Sequence, residues 1–193
     1  MKIYLIRHGQ TTGDIENRYG GDYDDHLTAL GEAQAQNLAE ELVPAGIEAI
    51  FTSPLLRATE TAAIISKQLG VGFEIIEELR ERNRYGLITG MTKAEATLKF
   101  PEIVRDVAVF ANTVEGAEDF DSFKGRIIGA FNELLKRSFA TIAVITHGGP
   151  LRVLAMEVLG AKELKDRMED CGWALLHSDA GGIAIEKTKG FLI

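Results

Sequence analysis

Cysteine is almost absent from this chain. Cys171 stands alone, so no intramolecular disulfide can form, and such a composition suits a reducing cytosol. Long apolar runs are missing too: none approaches the roughly 20 residues a membrane span needs. The few residues ahead of Arg7 are too short for a secretory leader core, so a cytoplasmic protein is expected. There are only four prolines, and no Pro/Ser-rich linker, repeat or low-complexity tract divides the chain. Positive charge is in deficit. The 21 Lys and Arg against 29 Asp and Glu leave a net charge of −8, which argues against nucleic acid as a partner. An anionic substrate stays open, because a local arginine cluster outweighs distant charge. What remains, 193 residues with 46% hydrophobic and 26% charged, describes one ordinary soluble domain over 1–193.

Short apolar runs alternate with helical patterns. Strands are expected at 2–6, 48–52, 73–77, 141–146, about 172–177 and 182–187, the first and fourth apolar enough to be covered on both faces. Thr28 is placed to cap a helix through Glu41, with Ala35, Leu38 and Leu42 on one face. Ser53-Pro54 reads as a helix start and Gly70 as its stop. Further helices are expected at 92–99, 119–137 and 150–159. This order predicts a three-layer α/β/α sandwich on a mostly parallel sheet. Residues 82–118 fit the alternation least and read as a cap, with Phe100, Val104, Val107 and Phe110 packing it.

Two histidines stand at the exits of predicted buried strands, each followed by glycine: Arg7-His8-Gly9 and Thr146-His147-Gly148-Gly149. Ligands bind at that end of an open α/β sheet. An unprotonated imidazole attacks phosphorus, so His8 is the candidate nucleophile. Arg7 offers a planar fork matched to phosphate oxygens. Arg57, near the start of a helix after another strand exit, adds charge to a helix end that already favours anions. His147 can donate to phosphoryl oxygens, while Gly148 and Gly149 let the backbone come close to them. The leaving alkoxide needs a proton, and Glu81 is the candidate acid. From spacing alone Glu77, Glu78 and Glu118 compete with it. His26 and His177 lack any metal-ligand constellation, no Walker-type lysine loop exists, and Cys171 has no arginine six positions on.

Together these residues resemble the histidine phosphatase superfamily, the fold group of the phosphoglycerate mutases. Arg7-His8-Gly9-Gln10-Thr11 is similar to its RHG(E/Q)T opening. Asp25-His26-Leu27-Thr28 with Gly31, Gln34 and Ala35, and Ser53-Pro54-Leu55-Leu56-Arg57-Ala58 with Thr61-Ala62, resemble two further blocks in family order. Leu79-Arg80-Glu81-Arg82 with Gly86 and Gly90 resembles the proton-donor segment, and Thr146-His147-Gly148-Gly149 the second histidine motif. The resemblance implies that His8 becomes phosphorylated, that Arg7, Arg57 and His147 bind phosphate, and that Glu81 acts as acid and then base. It implies no cofactor and no metal. Where the family often has asparagine this chain has Asp14, which turns away, binds a substrate hydroxyl or amine, or is protonated. Gln10 and Arg82 are further candidate substrate contacts.

Three activities are weighed. A phosphatase hands the phosphoryl group to water; a cofactor-dependent phosphoglycerate mutase returns it to a second hydroxyl and needs a long basic lid. The cap here is short and carries Glu102, Asp106, Glu115 and Glu118, so a phosphomonoester hydrolase acting on a small metabolite is expected. A non-catalytic phospho-ligand binder is the third reading, disfavoured by the intact pair of histidines with Glu81. The tail Phe191-Leu192-Ile193 points to a packed end or a homodimer contact.

Overall fold

A computed structural model describes residues 1–165 and 167–193. In chain order its elements are β1 (Lys2–Arg7), α1 (Thr12–Ile15), α2 (Ala29–Leu42), β2 (Ala49–Thr52), α3 (Leu56–Leu69), β3 (Phe73–Ile75), α4 (Lys93–Lys99), α5 (Pro101–Asp106), α6 (Phe120–Leu134), β4 (Thr141–Thr146), α7 (Gly148–Val153), β5 (Trp173–Asp179) and β6 (Gly182–Lys189). The six strands lie in the order β3-β2-β4-β1-β5-β6. The first four run parallel, β5 pairs antiparallel with β1 and β6 antiparallel with β5, so the sheet is mostly parallel with two antiparallel pairings at one edge.

Alternation along the central strands builds the three layers. Ile3, Leu5, Ile142 and Val144 face α6 and α7, where Phe123, Ile127, Phe131 and Leu151 meet them. Ile6, Ala143 and Ile145 face α2 and α3, against Leu38, Leu42, Ala62 and Ile65. Burial of each such Ile, Leu or Phe contributes about 1.5–3 kcal/mol. A third, smaller cluster of Ile88, Ala96 and Val107 holds residues 82–118 together over the strand ends, with Phe100, Val104 and Tyr85 packed against it. The tail is a packed end: Phe191 and Leu192 are buried in the α6 side of the core.

Most expected elements stand within two or three residues of their predicted bounds, and the differences have local causes. The strand expected at 73–77 stops at Ile75, and the chain turns once over Glu77–Leu79. Helix α3 starts at Leu56, not at Ser53-Pro54: Ser53 does not cap it, and Asp24 Oδ1 accepts from Leu56 N–H at 2.7 Å instead. Pro101 opens a second cap helix at its first position, where its missing N–H costs nothing. The helix expected at 150–159 begins at Gly148 and continues as a wider π stretch over Leu154–Val158. Among the described residues no helix is long and apolar enough to cross a membrane.

Candidate active site

Parallel pairing in register puts three strand exits side by side. Arg7 of β1 faces Thr146 of β4, and Thr52 of β2 faces Ile145. The next residues, His8, His147 and Ser53, therefore meet at one edge of the sheet. The two imidazole centroids lie 5.0 Å apart and both rings are buried.

Arg57 decides their tautomers. Its single Nε hydrogen points at His8 Nε2 (3.3 Å) and His147 Nδ1 (3.2 Å). A guanidinium cannot accept, so both ring nitrogens present lone pairs. The hydrogen of His8 then sits on Nδ1 and is donated to Gly9 O at 2.8 Å. That of His147 sits on Nε2 and is donated to Ser53 Oγ at 2.6 Å. Burial, then the Arg57 charge, hold both imidazoles well below their ordinary pKa, so both are neutral. Ser53, read from sequence as a helix cap, instead anchors the second histidine.

The rest of Arg57 is held by the loop ahead of α2. Nη1 donates to Tyr23 O (2.7 Å) and to Asp25 Oδ1 (2.8 Å), and Nη2 to Gly21 O (2.7 Å). Of five guanidinium hydrogens, one on Nη2 and the shared Nε hydrogen remain to meet an oxyanion. Asp25 is buried, with Oδ2 accepting from Gly13 N–H at 3.1 Å. Sequence reasoning gave this residue no role. Its only signal was its place in a block with Leu27 and Thr28, since its partner lies 32 positions away. Arg7 is held from the other side, by Met168 O and by Asp170 Oδ1 at 3.0 Å.

Glu81 reaches the same place from the turn after β3. Oε1 accepts from Arg82 N–H (2.8 Å) and Oε2 from Gly149 N–H (2.9 Å), which orients the carboxyl group. A Cβ at position 149 would lie 2.0 Å from Glu81 Oε1, so only glycine lets the carboxyl sit there. Nothing lies within 4 Å of a Cβ at Gly148, which lines the open cavity. Arg126 of α6 fixes the approach of this segment by donating to Glu78 O, Arg80 O and Glu81 O. The competing acids are elsewhere. Glu77 and Glu78 are exposed, and Glu118 grips Arg126 with both oxygens at 2.7 and 2.8 Å.

Two expected substrate contacts have protein partners in the structure. Arg82 is fully buried and its guanidinium serves the cap, donating to Glu118 O, Phe110 O, Asn112 O and Thr113 Oγ1. Gln10 turns toward α2, its Oε1 accepting from Thr28 Oγ1 at 2.8 Å. Asp14 keeps one oxygen for capping α1, where Oδ2 accepts from Thr11 N–H at 3.1 Å, yet it still lines the cavity at His8. His26 stays outside, paired with Glu60 at 2.6 Å.

The cavity at His8 has a volume of about 220 Å³ and is lined by Arg7, Arg57, Glu81 and Gly148 among others. A second chamber of about 390 Å³ adjoins it, sharing Arg7, Gly21, Glu81, Tyr85 and Gly148. An imidazole lone pair, two arginines and a carboxyl group thus surround one space able to take a tetrahedral oxyanion. Among the described residues no group of three His, Cys, Asp or Glu is placed to hold a metal ion.

Comparison with known proteins identifies the family of the chain. The family model described as histidine phosphatase superfamily (branch 1) matches residues 3–189. Phosphoserine phosphatase 1 of Hydrogenobacter thermophilus is 32% identical over 83% of this chain and 77% of its own length. The 2,3-bisphosphoglycerate-dependent phosphoglycerate mutase of Cytophaga hutchinsonii is 31% identical over 81% of this chain and 76% of its own length. Among solved structures, YhfR of Bacillus stearothermophilus superposes with a TM-score of 0.87 at 26% identity, covering 100% of this chain and 98% of that one.

Proposed function

The chain belongs to branch 1 of the histidine phosphatase superfamily, and from that premise we propose that it hydrolyses a small phosphomonoester through a phosphohistidine on His8, without a metal. His8 Nε2 attacks phosphorus in line with the ester oxygen; the N–P bond forms as the P–O bond breaks. Glu81, in its acid form, gives its proton to the departing alkoxide. Water then attacks the phosphorus, Glu81 takes a proton from it, and the N–P bond breaks to release inorganic phosphate. Arg7 and Arg57 bind the phosphoryl oxygens throughout. His147 donates to one of them once protonated at Nδ1, a form that a bound dianion beside the ring favours. Asp14 and Gly148 line the rim of the phosphate space.

One observation carries this reading: His8, whose Nδ1 hydrogen goes to Gly9 O and leaves Nε2 with its lone pair, lines one cavity together with Arg7, Arg57 and Glu81. Relatives named as phosphatase and as mutase both lie near 30% identity, and the Cytophaga protein favours mutase as the second reading. The short cap favours water as acceptor.

Rapid acid-free quenching of wild type with a labelled phosphomonoester should trap an acid-labile, base-stable adduct, absent in His8→Ala and undiminished by EDTA. Steady turnover with no such adduct would refute the mechanism. Return of label to a second monophosphoglycerate in place of free phosphate would establish the mutase.

A further inference from the structure

Asp14 stands in the phosphate space with no task in phosphoryl transfer. Its Oδ2 takes hydrogens from Thr11 N–H at 3.1 Å and from Thr11 Oγ1 at 3.2 Å, which fixes the carboxyl group at the start of α1. Among the described residues no hydrogen bond reaches Oδ1. Arg167 Nη2 stands 3.9 Å from it, beyond bonding range. The side chain is 30% exposed and lines the cavity at His8 with Arg7, Arg57 and Glu81. It is not part of the wall of the second chamber, so its neighbour is the phosphoryl group and not the alcohol.

An ionised carboxyl group has only lone pairs to offer, and so has a fully ionised phosphoryl group. Two such oxygens repel unless a hydrogen lies between them. The cations around the seat do not remove this conflict, because each arrives with a carboxylate of its own. Arg57 is paired with Asp25 at 2.8 Å and Arg7 with Asp170 at 3.0 Å. Arg18, on the same wall, is paired with Glu16 and donates to Gly90 O at 2.7 Å. Burial keeps His8, His147 and Tyr85 neutral. Glu81 has its oxygens engaged by Arg82 N–H and Gly149 N–H. Asp170, whose pKa burial raises, is pushed further up by the Asp14 charge.

Resting on the phosphatase reading, we infer that the phosphoryl group is bound with one hydrogen still on it, donated to Asp14 Oδ1. Asp14 thereby selects phosphate over tetrahedral anions that carry no hydrogen. A phosphomonoester has its second pKa near about 6, so it brings that hydrogen at little cost at neutral pH. Sulfate has the same shape and offers only acceptors. Whether the hydrogen is drawn on the phosphoryl or the carboxyl oxygen, the pair shares one proton and turns two negative charges toward Arg7 and Arg57. Asparagine is the matched probe: its amide oxygen can keep the Thr11 bonds while its NH2 turns a donor to the seat.

Titration calorimetry at about pH 7 with inorganic phosphate and with sulfate, on wild type and Asp14→Asn, tests this. The wild type should bind phosphate at least about tenfold more tightly than sulfate, the worth of one hydrogen bond to a charged group. In Asp14→Asn the two affinities should come within about threefold, with sulfate the one that gains. Equal affinities in the wild type would overturn the inference without any variant, as would binding of neither anion. A ratio that survives Asp14→Asn also overturns it, and its loss in Glu81→Gln instead would put the shared hydrogen on the proton donor. If the ratio behaves as expected while no phosphomonoester is turned over, the phosphatase reading fails and the inference stands. If a phosphohistidine forms on His8 while sulfate binds as well as phosphate, the inference alone fails.

Discussion

Replacing Gly149 by alanine separates the chemistry from the fold with one methyl group. The added Cβ would lie 2.0 Å from Glu81 Oε1 and 2.9 Å from Cδ of the same carboxyl group. Real contacts require about 3.0 Å or more, so the carboxyl must retreat by roughly 1 Å and loosen its 2.9 Å bond from Gly149 N–H. A displacement of that size costs about 100-fold when the displaced group acts in the transition state. The backbone should tolerate the change, since Gly149 is helical without a positive φ and alanine gains up to about 1 kcal/mol in helix propensity. The expected result is a fall of about 100-fold in kcat for an alkyl phosphate, with a melting temperature close to wild type. The fall should be much smaller for para-nitrophenyl phosphate, whose phenolate departs without a proton. Gly125→Ala on α6, where a Cβ meets nothing within 4 Å, serves as the control for generic effects of glycine replacement. Equal losses on both substrates would refute Glu81 as the proton donor, and an undiminished kcat on the alkyl ester would refute the steric reasoning itself.

Other consequences follow from the same geometry. His8 and His147 have folded pKa values below their ordinary 6.5, so between those lowered values and about 6.5 the unfolded chain binds more protons. Their stability contribution is complete above about pH 6.5 and is lost as pH falls; the urea midpoint should drop on acidification, less steeply in His8→Gln, and an identical slope would contradict burial as the cause. Arg82→Met should leave four cap acceptors without their donor, costing about 3 kcal/mol. That corresponds to roughly 6–12 °C in a calorimetric scan, whereas a shift under about 2 °C would mean the cap is held by its apolar cluster alone. Cys171, whose thiol burial pushes up to about 12, should resist iodoacetamide at pH 8 until urea unfolds the chain; rapid labelling of native protein would show the thiol to be accessible.

Legibility from sequence followed how local each cause was. His8 and His147 were readable because a buried parallel strand announces its own exit, and two such exits carried the same residue. Thr28 as the cap of α2 was readable for the same reason, since its Oγ1 accepts from Gly31 N–H only three positions on. Ser53 obeyed a helix-start pattern, but its hydroxyl was taken by a ring 94 positions away. Arg82 sits one residue from Glu81 and so suggested a substrate contact; its partners at 110–118 come near only when the cap folds. Asp25 could be placed within a block of residues but not given a partner.

The loop bearing Gly21 O and Tyr23 O, which receives Arg57, is continuous with residues bridged to the cap. Tyr19 N–H donates to Met91 O, Gly90 N–H to Tyr19 O, and Lys93 N–H to Asn17 O. Any remodelling of the cap for a different alcohol therefore tugs on the arginine that faces both histidines. A graft that moved residues 82–118 between relatives while leaving 17–23 behind would deliver a new specificity onto a misaligned anion seat, so the two segments form one transplantable unit.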